Sequence, residues 1–179
     1  MASLTERMVG AMKGDVKTFQ EIEADTTAMG QAITVIVIAG VAALIGNLFR
    51  AGIMYGVMSL VITLLGTALW ALVVVLVGTR LMPEPTTKAD FSEAFRVIGF
   101  TAAPGVFNVL AIVPFLGPII SFAIAIWMLV IGVIAVREVL DYSNTGRAII
   151  VCLIAAVISW VVTVMVLTPL FLGAAFLGR

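Results

Sequence analysis

Few side chains in this 179-residue sequence can do chemistry. There are ten Lys and Arg, ten Asp and Glu, one Cys and no His. Without histidine, the commonest general base, proton shuttle and metal ligand is missing. Cys152 alone cannot close an intrachain disulfide, and a zinc site built from Cys and His is excluded. Carboxylates, guanidiniums and neutral polar groups remain. Glu93, Arg96, Arg137, Glu138, Asp141 and Arg147 stand at the ends of apolar runs. There they could form an ion-pair network or a partner surface, or simply be charged helix ends that stop spans from sliding. Glu138 and Asp141 are the best candidates for paired acids working on a lipid at the membrane surface. Glu21, Glu23 and Asp25 could hold a divalent cation, although their spacing matches no EF-hand loop.

A second group is neutral and lies inside apolar runs: Asn47 and Asn108, with Thr63, Ser121, Ser159 and Thr163. These could line a polar pore, or act as interhelical glue, which is ordinary in membrane bundles. Pro104-Gly105 is a candidate kink. No Asp, Glu, Lys or Arg lies inside the runs. Ion-coupled carriers and pumps usually keep an ionisable group in the bundle. Intramembrane proteases need paired carboxylates or an activated nucleophile. The expectation is therefore a protein that is not an enzyme, with no catalytic, cofactor-binding or metal-binding residues and no cofactor.

The elements that must position these residues follow from composition. Hydrophobic residues make up 63% of the chain and charged ones 11%, far from the roughly 25% charge of soluble domains. Uncharged apolar runs cover Met29–Phe49, Ile53–Gly78, Val97–Val113, Phe115–Val136 and Ala148–Leu172. At helical rise they reach roughly 31, 39, 25, 33 and 37 Å, against a hydrocarbon core of about 30 Å. The third is marginal and carries Pro104-Gly105. A kinked span is favoured there over a re-entrant segment, because non-helical backbone at depth must be shielded by protein. The fold class expected is an all-α integral membrane protein with five transmembrane helices and an N-terminal amphipathic interfacial helix or helix pair. Residues 1–28 form the arm and 29–179 the membrane domain.

Five spans place Arg7, Lys13, Lys17, Arg80, Lys88, Arg96, Arg137 and Arg147 on one side, and Arg50 and Arg179 on the other. The excess marks the cytoplasmic side, so the N-terminus is expected inside and the C-terminus outside. No secretory signal pattern precedes the first run. Balanced charge argues against nucleic acid as a partner. The lipid bilayer is the expected partner, with other membrane proteins or a second copy of the chain.

Within the arm, Ser3-x-x-Glu6 is a capping-box pattern. Leu4, Met8, Met12, Val16, Phe19 and Ile22 recur at helical spacing and draw one apolar stripe. Gly14-Asp15 divides the arm into two short helices, with Asp15 as the second cap. The stripe suits a membrane interface, or docking on the protein's own spans. Pro83-Glu84-Pro85-Thr86-Thr87 reads as a turn, after which Phe91, Phe95 and Ile98 share one face and Glu93 and Arg96 lie on the other side. Gly52-x-x-x-Gly56 and Ala39-x-x-x-Ala43 allow close helix approach, within the chain or between copies.

One resemblance covers nearly the whole chain. It is carried by Phe95-Arg96-Val97-Ile98-Gly99-Phe100 leading to Ala103-Pro104, then Val113-Pro114-Phe115-Leu116-Gly117-Pro118, Ile126-Trp127, Arg137-Glu138 and Arg147-Ala148-Ile149. The stretch Asp15-Val16-Lys17-Thr18-Phe19-Gln20-Glu21-Ile22-Glu23-Ala24-Asp25 adds to it. The sequence resembles the Yip domain family (Ypt/Rab-interacting proteins), in its short prokaryotic branch. The resemblance implies five spans and a cytoplasmic N-terminus, and the short arm suggests a prokaryotic plasma membrane. Eukaryotic members act in vesicle trafficking and bind Rab-type GTPases. Their Asp-Leu-Tyr-Gly-Pro motif and long N-terminal region are absent, so the motifs present do not support GTPase binding. The function expected is a non-enzymatic membrane protein that organises membrane or associates with partner membrane proteins or lipids. A small transporter or channel subunit is the alternative.

Overall fold

The computed structural model describes residues 2–113, 115–167 and 169, with side chains except at 48–56, 58, 59, 166 and 167. The side chains of Arg50, Gly52 and Gly56, the corner residue Pro114 and the end of the fifth run lie outside the described residues. Two short helices open the chain, α1 (Leu4–Met12) and α2 (Val16–Ala24). Ser3 and Glu6 close a reciprocal capping box on α1. Asp15 caps α2 by accepting from the Lys17 amide. Gly14 between them sits at φ +67°, in the left-handed region that L side chains avoid. A Cβ there would also come within 2.8 Å of Ile134 Cδ1. We therefore expect Gly14→Ala to cost about 1–2 kcal/mol from the backbone alone, read as a lowered Tm in detergent.

Helical backbone α3 runs from Ala28 to Leu76 and continues through a π-helical turn at Val77–Leu81. A straight helix would hold Gly40 and Leu60 about 30 Å apart. Instead, a Cβ on Gly40 would meet the Leu60 side chain and lie 3.8 Å from its Cα. α3 is thus two arms folded against each other, Ala28–Asn47 and Leu60–Leu81.

The third apolar segment is helix α4 (Phe91–Phe100) followed by ten residues of 3₁₀ helix, Ala103–Ile112. Such runs rarely exceed four residues. Here Pro104 lies in its first turn, and small residues press it against the first arm. Gly99 meets Ala32, Gly105 meets Ala39, and Gly46 meets the Asn108 carbonyl and Ala111. Ala32, Ala39 and Gly46 are spaced by seven, about two turns, so they form one ridge. The segment advances along the first arm in the same direction. At about 2.0 Å per 3₁₀ residue, α4 and the 3₁₀ stretch together reach roughly 35 Å. About 5 Å of the gain over the roughly 25 Å expected for Val97–Val113 comes from the steeper 3₁₀ rise, and the rest from the residues of α4 that precede Val97.

Helices α5 (Gly117–Val139) and α6 (Thr145–Val162) follow, α6 passing into a π-helical turn at Thr163–Leu167. Five segments are long and apolar enough to cross a membrane: Ala28–Asn47, Leu60–Leu81, Phe91–Ile112, Gly117–Val139 and Thr145–Met165. The expected all-α membrane architecture with five such helices is what the structure shows, and no strand occurs among the described residues. The core gathers Val35 and Ile36, Val74 and Val77, Val97, Ile98 and Phe100, Val136 and Leu140, together with Phe19 and Ile22 from the arm. The α2 part of the stripe, Phe19 and Ile22, is spent on the protein itself, Leu4, Met8 and Met12 are partly buried against the core, and Val16 stays exposed.

Candidate functional site

The polar residues assemble where the α1–α2 arm meets the bundle. Arg7 lies among Leu4, Met8 and Ala11 at helical spacing, so α1 carries a cation on its inward face. Its side chain is 1% exposed. One guanidinium nitrogen donates to Gln31 Oε1 at 2.8 Å, and the other to Glu21 at 2.9 Å and Asp25 at 2.6 Å. One side chain thereby joins α1, α2 and the start of α3. Burial works against the Arg7 charge, but its bonds to Asp25 and Glu21 outweigh this and raise its pKa. Asp25 is held down to about 2, first by the Thr27 hydroxyl and then by Arg7. Glu21 and Asp25 are thus occupied by Arg7, and no three metal-ligating side chains gather among the described residues.

A second cluster lies on the other side of α2. Glu23 is pushed up to about 7, chiefly by burial and then by Asp141, Glu93 and Glu138; Arg96 opposes the shift. Arg96, expected on the outer side of α4, is in fact 5% exposed. Its guanidinium donates to the Glu23 backbone carbonyl at 2.6 Å. The docked α2 covers it. Because the folded pKa of Glu23 stands above its usual 4.5, this group's stabilisation is complete below about pH 4.5. It is lost as pH rises through about 7. We expect hydrogen exchange in α2, corrected for intrinsic rate, to quicken over that window. Glu23→Gln should abolish this response.

Of the six charged residues singled out by spacing, Glu93, Arg96, Glu138 and Asp141 gather around Glu23, and no ion pair joins any two of the six among the described residues. Glu93 belongs to the capping box of α4 with Asp90. Glu138 accepts from Gln20 at 3.2 Å. Arg137 donates to the Tyr142 carbonyl. Arg147 approaches Glu84 at 3.5 Å. The Asp141 carbonyl accepts from the Thr86 hydroxyl, and Thr87 donates to Leu140 O. The Tyr142 hydroxyl lies 2.8 Å from Met82 O and 3.2 Å from Gly78 O, closing the end of the second arm. These bonds clasp the loop before α4 to the loop before α6. Sequence spacing did not point to Arg7, Gln31 or Tyr142. The only available signal was a cation inside the apolar stripe of α1.

In the apolar interior, Asn47 donates to Ala43 O at 2.9 Å and Asn108 to Gly105 O at 3.1 Å. Each amide spends one N–H on its own helix. Pro104 and Gly105 are buried at the start of the 3₁₀ stretch. A groove of about 180 Å³ runs between the second arm, α5 and α6, lined by Trp70, Leu129, Val133, Ile149, Cys152 and Leu153 among others. None of the neutral polar candidates lines it.

Compared with known proteins, the Yip1 domain profile matches residues 15–166. The chain belongs to the Yip1 domain family. The match confirms the resemblance read from Asp15–Asp25, Phe95–Phe100 and Val113–Pro118. No curated protein and no solved structure matches significantly. The Yip1 domain begins at α2's cap, so Glu21, Asp25 and Gln31 fall within it. Arg7, which binds all three, lies before it.

Proposed function

We propose that this Yip1 domain protein is a non-enzymatic organiser of the membrane that holds lipids or partner membrane proteins against its spans. One observation carries the reading: the groove among the second arm, α5 and α6 is apolar and open to the surroundings, with Leu129 61% and Leu153 60% exposed. Arg7, Arg96 and Glu138 are spent on holding the arm to the bundle. In this reading Lys and Arg asymmetry sets the N-terminus in the cytoplasm of a prokaryotic cell and the C-terminus outside. Other membrane proteins or a second copy are the further partners. Native mass spectrometry after gentle extraction tests it. A stoichiometric lipid or a co-purifying membrane protein supports the reading, and a bare monomer in every mild detergent overturns it. Transport is the second reading, but neither Asn47 nor Asn108 lines the groove among the second arm, α5 and α6. Liposome flux that falls on Asn108→Leu would favour it.

A further inference from the structure

The apolar surface of the bundle ends at different heights on different flanks. Three contacts set the arm in register along α5. Trp127 Nε1 donates to the Met12 carbonyl at 2.8 Å, Gly14 abuts Ile134, and Gln20 donates to Glu138. The arm therefore covers α5 from residue 127 to 138, about 17 Å of helix. Lys13 at its turn and Lys17 in the first turn of α2 are both exposed and without an ion pair among the described residues. The exposed positions of α5 end at Val130, and from 131 to 140 every residue is buried or half-buried, under the arm at Ile134 and Glu138 and against Trp70 and Gly78 of the second arm at Gly132 and Leu140.

The opposite flank differs. Leu72 and Leu76 of the second arm are each 42% exposed, and Leu81 is 70% exposed. Gly78 packs on Leu140, so this apolar surface continues to the far end of α5. The two limits, Val130 and Leu140, differ by about 15 Å along the helix. A flat boundary would put Lys13 and Lys17 into hydrocarbon, or Leu76 and Leu81 among headgroups. Charges at that depth are expensive, whereas a bilayer thins at modest cost for each ångström of mismatch.

We propose that the lipid–water boundary meets this protein at two heights, near Trp127 and Val130 on the arm flank and about 15 Å further along, near Leu81, on the second-arm flank. Phospholipid headgroups rise against Lys13 and Lys17 to fill the step. The bilayer is thinned and tilted on one side of the molecule, and its leaflets are no longer parallel there. This deepens the membrane-organising reading by supplying a physical means. It is nonetheless measured separately, because the depth of Trp127 does not depend on whether a lipid or partner co-purifies.

The test uses the full chain with Trp70→Phe and Trp160→Phe, which leaves Trp127 as the single tryptophan. The protein is reconstituted in phosphatidylcholine vesicles containing lipids brominated at known chain depths. Bromines nearest the headgroup are expected to quench Trp127 at least twofold more than those near the chain end. Strongest quenching by chain-end bromines would place Trp127 at the bilayer centre and overturn the proposal, whether the arm is then immersed or detached. A second measurement needs no tryptophan change. In nanodiscs, with Cys152→Ser throughout, Lys13→Cys should react with a water-soluble maleimide at least tenfold faster than Leu153→Cys. Equal, slow reaction at both positions would overturn it as well.

Discussion

Arg7→Ala releases α1 from α2 and from the start of α3. The guanidinium is 1% exposed and serves three acceptors on two other helices, while Glu21 and Asp25 are 44% and 16% exposed. Removing one member of a buried pair strands the rest, typically at 3–5 kcal/mol. Glu21 reaches solvent and recovers part of its hydration, which lowers the expectation to about 3 kcal/mol. That is a factor of roughly 10² in the opening equilibrium of α1. Limited trypsin digestion at Lys13 and Lys17 should accelerate accordingly, while the spans stay protected by detergent. Arg7→Lys keeps the charge but loses the planar fork that reaches Gln31 and the carboxylates together. It should fall between wild type and alanine. Wild-type cleavage rates in Arg7→Ala would show that the clamp contributes nothing.

Gly46→Val disrupts the bundle itself. A Cβ at position 46 would overlap the Asn108 carbonyl oxygen and lie 3.2 Å from Ala111 Cβ. The obstacle is backbone, so no rotamer change relieves it. The first arm and the 3₁₀ segment must move apart, which also breaks the seats of Gly99 on Ala32 and Gly105 on Ala39. Overpacking costs about 1–3 kcal/mol where side chains yield. Against a carbonyl we expect the upper end or beyond, about 3 kcal/mol or more. Loss of the monodisperse peak in fluorescence-detected size exclusion is the readout. Gly30 and Gly66 give the internal contrast, since a Cβ at either meets nothing within 4 Å. Alanine there should be neutral or stabilise by up to about 1 kcal/mol. If Gly46→Val and Gly66→Ala behaved alike, close backbone approach would not be what holds the third segment.

The Glu23 response separates from both. It acts through α2 alone, and its sign is opposite to that of Asp25. The depressed Asp25 group adds stability above its usual 3.8 that is lost as pH falls toward about 2. Glu23 weakens docking as pH rises toward about 7. Arm docking is thus expected to be strongest between these limits.

The five apolar segments, the division of the arm at Gly14-Asp15 and the Ser3 and Asp15 caps were legible from residues alone. Transfer of a charge into hydrocarbon is so unfavourable that charges sort themselves outside the spans. Caps are satisfied within three residues of chain. The stripe on α1 and α2 was equally plain, but a stripe only states that an apolar surface must cover it. Lipid and protein are alike in that respect, and only the packing of Phe19 and Ile22 into the core decides for protein. Arg96 was placed outward because its local neighbours allow it; the Glu23 carbonyl that receives it comes from 73 residues away. Arg7 and its partners are likewise 14 to 24 residues apart. The 3₁₀ course of Ala103–Ile112 depends on how closely Gly46 and Ala39 let that backbone approach. Sequence by itself thus determined which segments enter the membrane, because solvation acts on each residue where it stands. Only the tertiary structure decided which polar groups hold the arm down and where the apolar surface ends, because those depend on pairs of residues brought together by the fold.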